Sequence, residues 1–351
     1  MMRYKLLGQS GLRVSEICLG TMSFGEKWGF GADEAESRRI VAAFAEAGGN
    51  FIDTANKYHE GHSEEIVGRV VGADRDRWVV ATKFTLSMRP GDPNASGNSR
   101  KNMRQSLETS LRRLGTDHID LLWVHAWDFT TPVEEVMRGL DDLVRAGKVL
   151  HVGISDAPAW VVSQANTLAA LRGWTPFVGL QVPYSLLERT IERELLPMAE
   201  SLGITVTAWA PVAGGVLTGK YTRGSGPPED SRRVASNENR LTERNLGIAR
   251  LVDGIADELG WTSGQVAMAW VRQRSENVLP IVGARKTEQV VDLLGCVGRE
   301  LEAANVARLN EASRIELGFP HDFLAQPFIR GIVYGDTEAR IDLPRATRPR
   351  S

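Results

Sequence analysis

Several features that would quickly classify a protein are scarce in this chain. Its 351 residues contain two cysteines, Cys18 and Cys296, both in apolar surroundings. Two cysteines are too few for a disulfide framework, so we expect a reducing, cytoplasmic setting. No apolar run approaches the ~18 residues of a transmembrane helix. The N-terminal stretch "MMRYKLLGQSGL" also lacks the apolar core of a signal peptide. We therefore expect neither secretion nor contact with a membrane.

An excess of either charge is also missing. The chain has 42 basic and 44 acidic residues, a net charge of −2, and it shows no basic stripe. This balance argues against a nucleic-acid partner and against a long acidic tail. The composition, 42% hydrophobic and 25% charged, is instead ordinary for a globular protein with a large core.

What the sequence does contain is a strand followed by a helical pattern, repeated eight times. The strand candidates are short, apolar and rich in β-branched residues, as expected of parallel strands buried on both faces. They are residues 16–21, 50–55, 78–84, 119–126, 149–155, 177–182, 205–211 and 278–284. Helical patterns fill most gaps, for example residues 32–48, and we expect Ser63 and Thr131 to cap two helix starts.

Eight such units predict an α/β fold, a (β/α)₈ TIM barrel in one domain spanning residues 1–351. A doubly wound open sheet is the alternative, although no G-x-G-x-x-G follows the first strand. The stretch "YKLLGQSGLRV" predicts a β-hairpin that plugs the N-terminal end of the barrel. Residues 221–241 are polar and rich in glycine and proline, which predicts a mobile loop. Residues 315–351 form a C-terminal tail that we expect to extend over the barrel.

Polar side chains stand where three adjacent strands end. Asp53 follows the second strand, Lys83 closes "RWVVATKF" and His125 follows the fourth strand, with Tyr58 in the loop after Asp53. Because the C-terminal strand ends form the mouth of such a barrel, we expect these four side chains to meet there. Each residue alone has an ordinary structural explanation, and only their coincidence favours a catalytic site.

The set is suited to acid catalysis on an oxygen atom. A phenol has a pKa of ~10, and a nearby cation such as Lys83 lowers that pKa. Asp53 can keep Lys83 charged and offset its desolvation. His125 can donate a hydrogen bond to a substrate carbonyl. No side chain supplies a hydride, so a cofactor is required.

The chain resembles the aldo-keto reductase superfamily over nearly its whole length. The motifs that carry the resemblance are "NFIDTANKYHEGHSEEIVG", "ATKF", "SLRRLGTDHIDLLWVHAWD" and "WAPVAGGVLTGKY". The resemblance implies a catalytic tetrad of Asp53, Tyr58, Lys83 and His125, with Tyr58 as general acid. It also implies NADP(H) as the cofactor and transfer of a hydride between the nicotinamide and a carbonyl carbon.

The same resemblance implies which residues bind the cofactor. Tyr184 would stack on the nicotinamide, Trp209 and the residues after it would wrap the pyrophosphate, and Arg285, helped by Lys286, would meet the 2′-phosphate. The full set is Thr21, Met22, Asp53, Ser155, Asp156, Gln181, Tyr184, Trp209, Ala210, Pro211, Val212, Gly214, Lys220, Gly283, Arg285, Gln289 and Asp292. Asp156, Ala210 and Leu293 depart from the usual asparagine, serine and asparagine, so each removes one expected hydrogen bond.

The substrate is less well specified. We expect Tyr58 and His125 to contact it, and Trp28, Trp127 and Phe129 to wall the pocket, unless these aromatic residues only pack in the core. The stretch "YHEGHSEE" matches no metal-binding spacing, and we expect no metal. No sequence feature indicates the oligomeric state.

Two other functions are compatible with the same residues. The first is an NADPH-binding regulatory subunit with little turnover. The second is an aldolase that uses Lys83 as a Schiff-base nucleophile, although Asp53 would raise the pKa of that amine rather than lower it.

Overall fold

Eight parallel strands close into a barrel, and they are the eight expected from the sequence. The computed structural model describes residues 1–224 and 238–342. In chain order its strands are β1 (Tyr4–Leu6), β2 (Arg13–Ser15), β3 (Cys18–Gly20), β4 (Phe51–Asp53), β5 (Val79–Phe84), β6 (Ile119–Val124), β7 (Val149–Ser155), β8 (Phe177–Pro183), β9 (Thr205–Trp209) and β10 (Val278–Gly283). Strands β3 to β10 pair in chain order, and β10 pairs with β3 to close the ring. The (β/α)₈ barrel is confirmed, and the open sheet is wrong.

Helices connect the strands on the outside of the barrel. In the described part of the chain they are α1 (Glu34–Glu46), α2 (His62–Val71), α3 (Arg100–Leu114), α4 (Val133–Arg145), α5 (Ala159–Arg172), α6 (Leu195–Leu202), α7 (Glu243–Leu259), α8 (Ser263–Gln273), α9 (Thr287–Leu294), α10 (Ala303–Ala312), α11 (His321–Leu324) and α12 (Pro327–Tyr334). The apolar stripes of α1 to α10 and the outer faces of the strands form one large core, whereas α11 and α12 bury no residue. This layer explains why the strands are apolar on both faces.

A second, smaller core fills the inside of the barrel. Trp123 lies at its centre and is fully buried. Its ring occupies the space next to Gly153 and Gly179, where any Cβ would collide with the indole. Glycine at these two positions is therefore required by the close approach of one large side chain.

The N-terminal hairpin closes the barrel at the end where the strands begin. Strands β1 and β2 pair antiparallel, and Leu7 between them is fully buried in the inner core. The Gly8 amide donates to the Thr205 hydroxyl at 2.7 Å, and Lys5 donates to the Glu276 carbonyl at 2.9 Å. The predicted plug is confirmed.

Two predicted helix caps are wrong. Helix α2 begins after Gly61, whose φ of 92° ends the preceding turn, and the Ser63 hydroxyl donates instead to the Thr21 carbonyl at 2.8 Å. Helix α4 begins after Pro132, and the Thr131 hydroxyl donates to Asp128 at 2.8 Å. The partner of Ser63 lies 42 residues away in the sequence, whereas Asp128 lies only three residues before Thr131. In both cases this partner competes with the helix start for the hydroxyl.

The C-terminal extension is attached on the side where the strands end. Arg193, in the segment after β8, donates to the Glu316 carbonyl at 2.9 Å, and neighbouring Glu194 pairs with His321 at 3.1 Å. The structure describes this tail as far as residue 342. Most of the predicted mobile loop, residues 225–237, lies outside the described residues.

Candidate active site

Lys83 forms the centre of a buried polar cluster at the barrel mouth. Its side chain is fully buried, and its ammonium pairs with the Asp53 carboxylate. The same Nζ donates to the Thr54 carbonyl at 2.8 Å and to the Tyr58 hydroxyl at 3.0 Å. The second Asp53 oxygen accepts from Gln181 at 3.0 Å. All three Lys83 protons therefore have partners, and both Asp53 oxygens are bound.

Electrostatics keep Lys83 charged. Burial lowers the pKa of the Lys83 amine, but the neighbouring Asp53 and Tyr58 oxygens raise it by more than burial lowers it. The net effect is a raised pKa. A Schiff-base lysine needs a lowered pKa to present a neutral amine. The environment of Lys83 therefore argues against the hypothesis that the protein is an aldolase with a Schiff-base lysine.

Tyr58 accepts a hydrogen bond from Lys83 through its oxygen, which leaves its own proton available for donation. Burial raises the pKa of Tyr58, and Asp53 raises it too, whereas Lys83 lowers it. The net direction is upward, so the lowered pKa expected from the sequence is wrong for the protein alone. The reason is that loss of hydration penalises the phenolate more than one ammonium, itself paired with Asp53, can offset.

The His125 imidazole stands perpendicular to the Tyr58 ring, with centroids 5.9 Å apart. Burial, followed by the positive charge of Lys83, lowers the pKa of His125 to about 3. The ring is therefore neutral at physiological pH and carries a single N–H. Its buried Nδ1 has no hydrogen-bond partner among the described residues.

The turn that carries Tyr58 is strained and packed against Trp28. His59 and Glu60 have positive φ values of 48° and 57°. The His59 ring stacks on the Trp28 indole at 4.5 Å, and that indole meets the Tyr58 ring edge-on at 6.4 Å. Strained backbone is retained where the surroundings fix it, often at functional sites. The sequence pattern gave no sign of this turn.

The three predicted pocket aromatics differ in position. Trp28 borders Tyr58 directly, as described above. Trp127 is 8% exposed and packs in the outer core, which favours core packing over a substrate wall. Phe129 has a φ of 56° and is 71% exposed.

The residues predicted to contact the nicotinamide lie at or near the C-terminal ends of β7 and β8. Asp156 has a φ of 44° and its carboxylate accepts from the Trp209 indole at 3.3 Å. Desolvation raises the pKa of Asp156, although the hydrogen bond from Trp209 and the charge of Lys83 partly offset this rise. Ser155 is the last residue of β7 and is 1% exposed, and Gln181, two residues before the end of β8, is 3% exposed.

Tyr184 does not fit the predicted stacking role. Its ring is fully buried, and its hydroxyl binds Glu192 at 2.5 Å and Arg274 at 3.1 Å. The ring packs on Trp270 at 5.5 Å, in the core outside the barrel. The sequence spacing placed Tyr184 just past β8, but the chain has already turned away from the mouth.

On the other side of the mouth, Thr21 and Met22 follow β3. Thr21 is fully buried and its hydroxyl donates to the Asp53 carbonyl at 3.1 Å, so it lies behind the site. Met22 is 45% exposed and is the member of the pair that can meet a ligand.

The segment after β9 forms a tight, glycine-containing turn. Ala210, Ala213, Gly214 and Gly215 all have positive φ values. Lys220 folds over this turn, and a Cβ on Gly215 would lie 2.7 Å from its Nζ. Successive turns of this kind direct backbone N–H groups toward anions. Pro211 is buried and Val212 is half-buried within the same segment.

The segment after β10 leads into α9. Gly283 is exposed at the strand end, and the Arg285 amide donates to the Gln289 side chain at 3.0 Å. Within the described part of the chain, the Arg285 guanidinium forms no hydrogen bond or ion pair. Asp292 already accepts from Thr262 at 3.2 Å and from Gln265. The α9 start is capped by Glu36, which accepts from the Thr287 amide at 2.6 Å.

The side chains of "YHEGHSEE" turn to separate partners. His59 stacks on Trp28, whereas Glu64 is buried against Arg113 at 3.1 Å and Thr82 at 2.6 Å. Across residues 1–224 and 238–342, no group of three His, Cys, Asp or Glu side chains could hold a metal ion.

Comparison with known proteins identifies the family. The model of the aldo/keto reductase family matches residues 16–314. The chain belongs to the aldo/keto reductase family. As a member of this family it is an oxidoreductase.

Several curated members of the family resemble this chain over most of their length. Norsolorinic acid reductase from Aspergillus flavus is 39% identical over 91% of this chain and 83% of the relative. Aryl-alcohol dehydrogenase from Pestalotiopsis microspora is 36% identical over 97% of this chain and 88% of the relative. Aryl-alcohol dehydrogenase [NADP(+)] from Phanerodontia chrysosporium is 38% identical over 89% and 86%.

Proposed function

We propose that this reductase uses NADPH to reduce an aldehyde or ketone to an alcohol, with Tyr58 as the general acid. The observation that supports this most directly is the Lys83 ammonium, which pairs with Asp53 and lies 3.0 Å from the Tyr58 oxygen. The hydrogen bond from this buried cation stabilises the phenolate that forms when Tyr58 gives up its proton. The arrangement thus favours protonation of a substrate oxygen.

The proposed mechanism divides the work among four side chains. Tyr58 donates its proton to the carbonyl oxygen of the substrate, and the neutral His125 donates a second hydrogen bond to the same oxygen. Lys83 stabilises the phenolate that forms, because an unhydrated ammonium interacts strongly at short range. Asp53 keeps Lys83 charged and in position. A bound NADPH would supply the hydride for the carbonyl carbon.

The residues around the mouth fit a nicotinamide cofactor. Gln181, Ser155 and Asp156 offer amide, hydroxyl and carboxyl groups beside the tetrad, and Trp209 offers a half-buried ring on the adjacent strand. The turn at residues 210–215 and Lys220 suit a pyrophosphate. Arg285 suits the 2′-phosphate that distinguishes NADPH from NADH.

We further propose an aromatic carbonyl compound as the substrate class. Trp28 faces Tyr58 edge-on, and Phe129 exposes its ring beyond β6. Aromatic faces bind planar apolar molecules well. The names of two relatives refer to aryl alcohols, and one of these names also specifies NADP(+).

A Tyr58→Phe variant tests the acid assignment. We expect its kcat for NADPH oxidation with an aromatic aldehyde to fall by about 10²–10⁴-fold, the usual contribution of a general acid. NADPH binding, measured by fluorescence titration, should change little, since the phenol acts on the substrate oxygen.

Tyr4→Phe is the matched control, because this phenol donates to the Gly48 carbonyl far from the mouth. It should keep wild-type turnover. Retained activity in Tyr58→Phe would disprove the acid role. A wild-type protein that binds NADPH but turns over no member of a carbonyl panel would favour the regulatory subunit instead.

A further inference from the structure

The C-terminal extension carries a cluster of exposed apolar side chains. The cluster, here called the tail patch, consists of Phe319, Phe323, Leu324, Phe328, Ile332 and Val333. Their exposed fractions run from 43% for Phe323 to 84% for Phe319. Single exposed apolar residues are normal on a protein surface, but six within fifteen positions form a patch that normally has a partner.

The tail patch is large enough for a specific interface. The exposed fractions of its three phenylalanines add up to about two fully exposed phenylalanines. At ~150–250 Å² per aromatic side chain, they expose on the order of 300–500 Å². Leu324, Ile332 and Val333 bring the total toward the ~800 Å² that each partner contributes to a standard interface.

The remainder of the chain is poorly suited to cover this surface. The two segments outside the described residues are "SGPPEDSRRVASN" (225–237) and "LPRATRPRS" (343–351). They contain one valine and one leucine as their large apolar residues. Neither segment therefore brings enough apolar side chains to match the tail patch.

Charge argues against an anionic membrane or a nucleic acid as the partner. Residues 315–342 contain two arginines against five acidic residues, a formal charge of −3. Arg330, on α12 itself, is already paired with Glu338. A negatively charged extension repels phosphate-bearing surfaces, and interfacial helices are typically rich in lysine and arginine.

We infer that two copies of this chain associate through their tail patches, with α12 packing against α12 of the second copy. A twofold interface uses the same patch on both partners, so one kind of molecule covers both apolar surfaces. On α12, Phe328, Gly331 and Ile332 share one face by their spacing. A Cβ on Gly331 would meet nothing within 4 Å, so a second helix can approach closely there.

The first test is the mass of the protein in solution. Light scattering after size exclusion should give twice the monomer mass for the wild type. Phe328→Asp/Ile332→Asp should shift the protein to monomer at the same concentration, weakening association by about 100-fold or more, because two interface anchors are lost. Trp160→Asp is the matched control: Trp160 is 59% exposed in the first turn of α5, and this variant should stay dimeric.

A cross-linking test gives a positive signal that does not depend on loss of assembly. Both native cysteines are buried and their thiol pKa values are raised, so they do not interfere. Ile332→Cys should form a disulfide-linked dimer under mild oxidation, whereas Trp160→Cys should not.

Either of two results would overturn the inference. One is a monomeric wild type together with an uncross-linked Ile332→Cys protein. The other is a double aspartate variant that remains fully dimeric. Neither test measures reductase activity, so the result is independent of the proposed function.

Discussion

Among single residues, Lys83 best shows how burial and charge combine in this protein. An unpartnered ammonium in a dry core would lose its proton or destabilise the fold. Here Asp53, Thr54 and Tyr58 each accept one of its hydrogen bonds. The cluster holds its charges in fixed positions before any substrate arrives, which is how preorganised electrostatics assist a reaction.

A Lys83→Met variant should therefore lose both stability and activity. It leaves the Asp53 carboxylate, which is 2% exposed, without its cation. Breaking a buried ion pair costs about 3–5 kcal/mol in the free energy of unfolding. Urea denaturation should show this loss.

The double variant Lys83→Met/Asp53→Asn separates the two effects. It should recover most of the stability, since no charge is left unpaired, but it should recover no activity. A double variant as unstable as the single one would show that the ion pair is not the source of the loss.

The neutral His125 predicts a pH dependence of stability. Its pKa is about 3 in the folded protein, against ~6.5 in an unfolded chain. As pH falls below ~6.5, only the unfolded state binds this proton, so the folded state is progressively disfavoured down to pH ~3.

A His125→Asn variant should lack this component. Its free energy of unfolding, relative to wild type, should rise by at most about 3 kcal/mol between pH 7.5 and pH 4. The comparison at pH 7.5 serves as the reference, because His125 is neutral in both states there. A constant difference across this range would mean that His125 titrates normally in the folded protein.

At the scale of elements, the loops after the strands carry the residues that differ most from expectation. The strands fix where Asp53, Lys83 and Gln181 lie. The segment after β8 instead turns according to tertiary contacts, which bury Tyr184. Trp209, the last residue of β9, is half-buried at the mouth. Loops are where the same scaffold acquires different ligands.

The start of α9 gives a testable case. Arg285 lies two residues before this helix, where a positive charge opposes the helix dipole unless an anion is near. Arg285→Ala should raise the KM for NADPH by about 10–100-fold, as expected for the loss of one charge-assisted hydrogen bond.

The KM for NADH should change little in the same variant, since NADH has no 2′-phosphate. Arg285→Lys should recover part of the loss, because it keeps the charge without the planar fork. Equal changes for both cofactors would remove the argument for the 2′-phosphate.

At the scale of the whole molecule, the two ends of the barrel have separate tasks. The hairpin seals the end where the strands begin, and the polar cluster occupies the opposite end. Stability and chemistry are thus separated along the barrel axis, as is typical of this fold.

Leu7→Ala tests that separation. Leu7 is fully buried in the inner core, and its truncation should cost about 2–5 kcal/mol of unfolding free energy in urea. The KM and kcat should stay near wild type, because the site is at the other end.

Leu6→Ala is the matched control, since this neighbour is 56% exposed. Its cost should stay within about 0.5 kcal/mol. A Leu7→Ala protein of normal stability, or one with a large change in KM, would contradict the proposed division.

The eight strands, their order and the residues at their C-terminal ends could all be predicted from the sequence. This was possible because a strand buried on both faces needs a short apolar run, and because parallel strands bring equivalent ends together. Asp53, Lys83 and His125 were therefore brought to one mouth by topology alone. The N-terminal hairpin could also be predicted, because its strands and turn are specified by neighbouring residues in the sequence.

The partners of those residues could not be predicted, because they follow from the tertiary structure. Tyr184 and Ser63 differ from expectation because groups distant in the sequence bind them, namely Arg274 and the Thr21 carbonyl. The pKa of Tyr58 rose because its desolvation exceeds the effect of Lys83. Hydration, packing and pairing depend on the full set of neighbours in space, and sequence order does not specify that set.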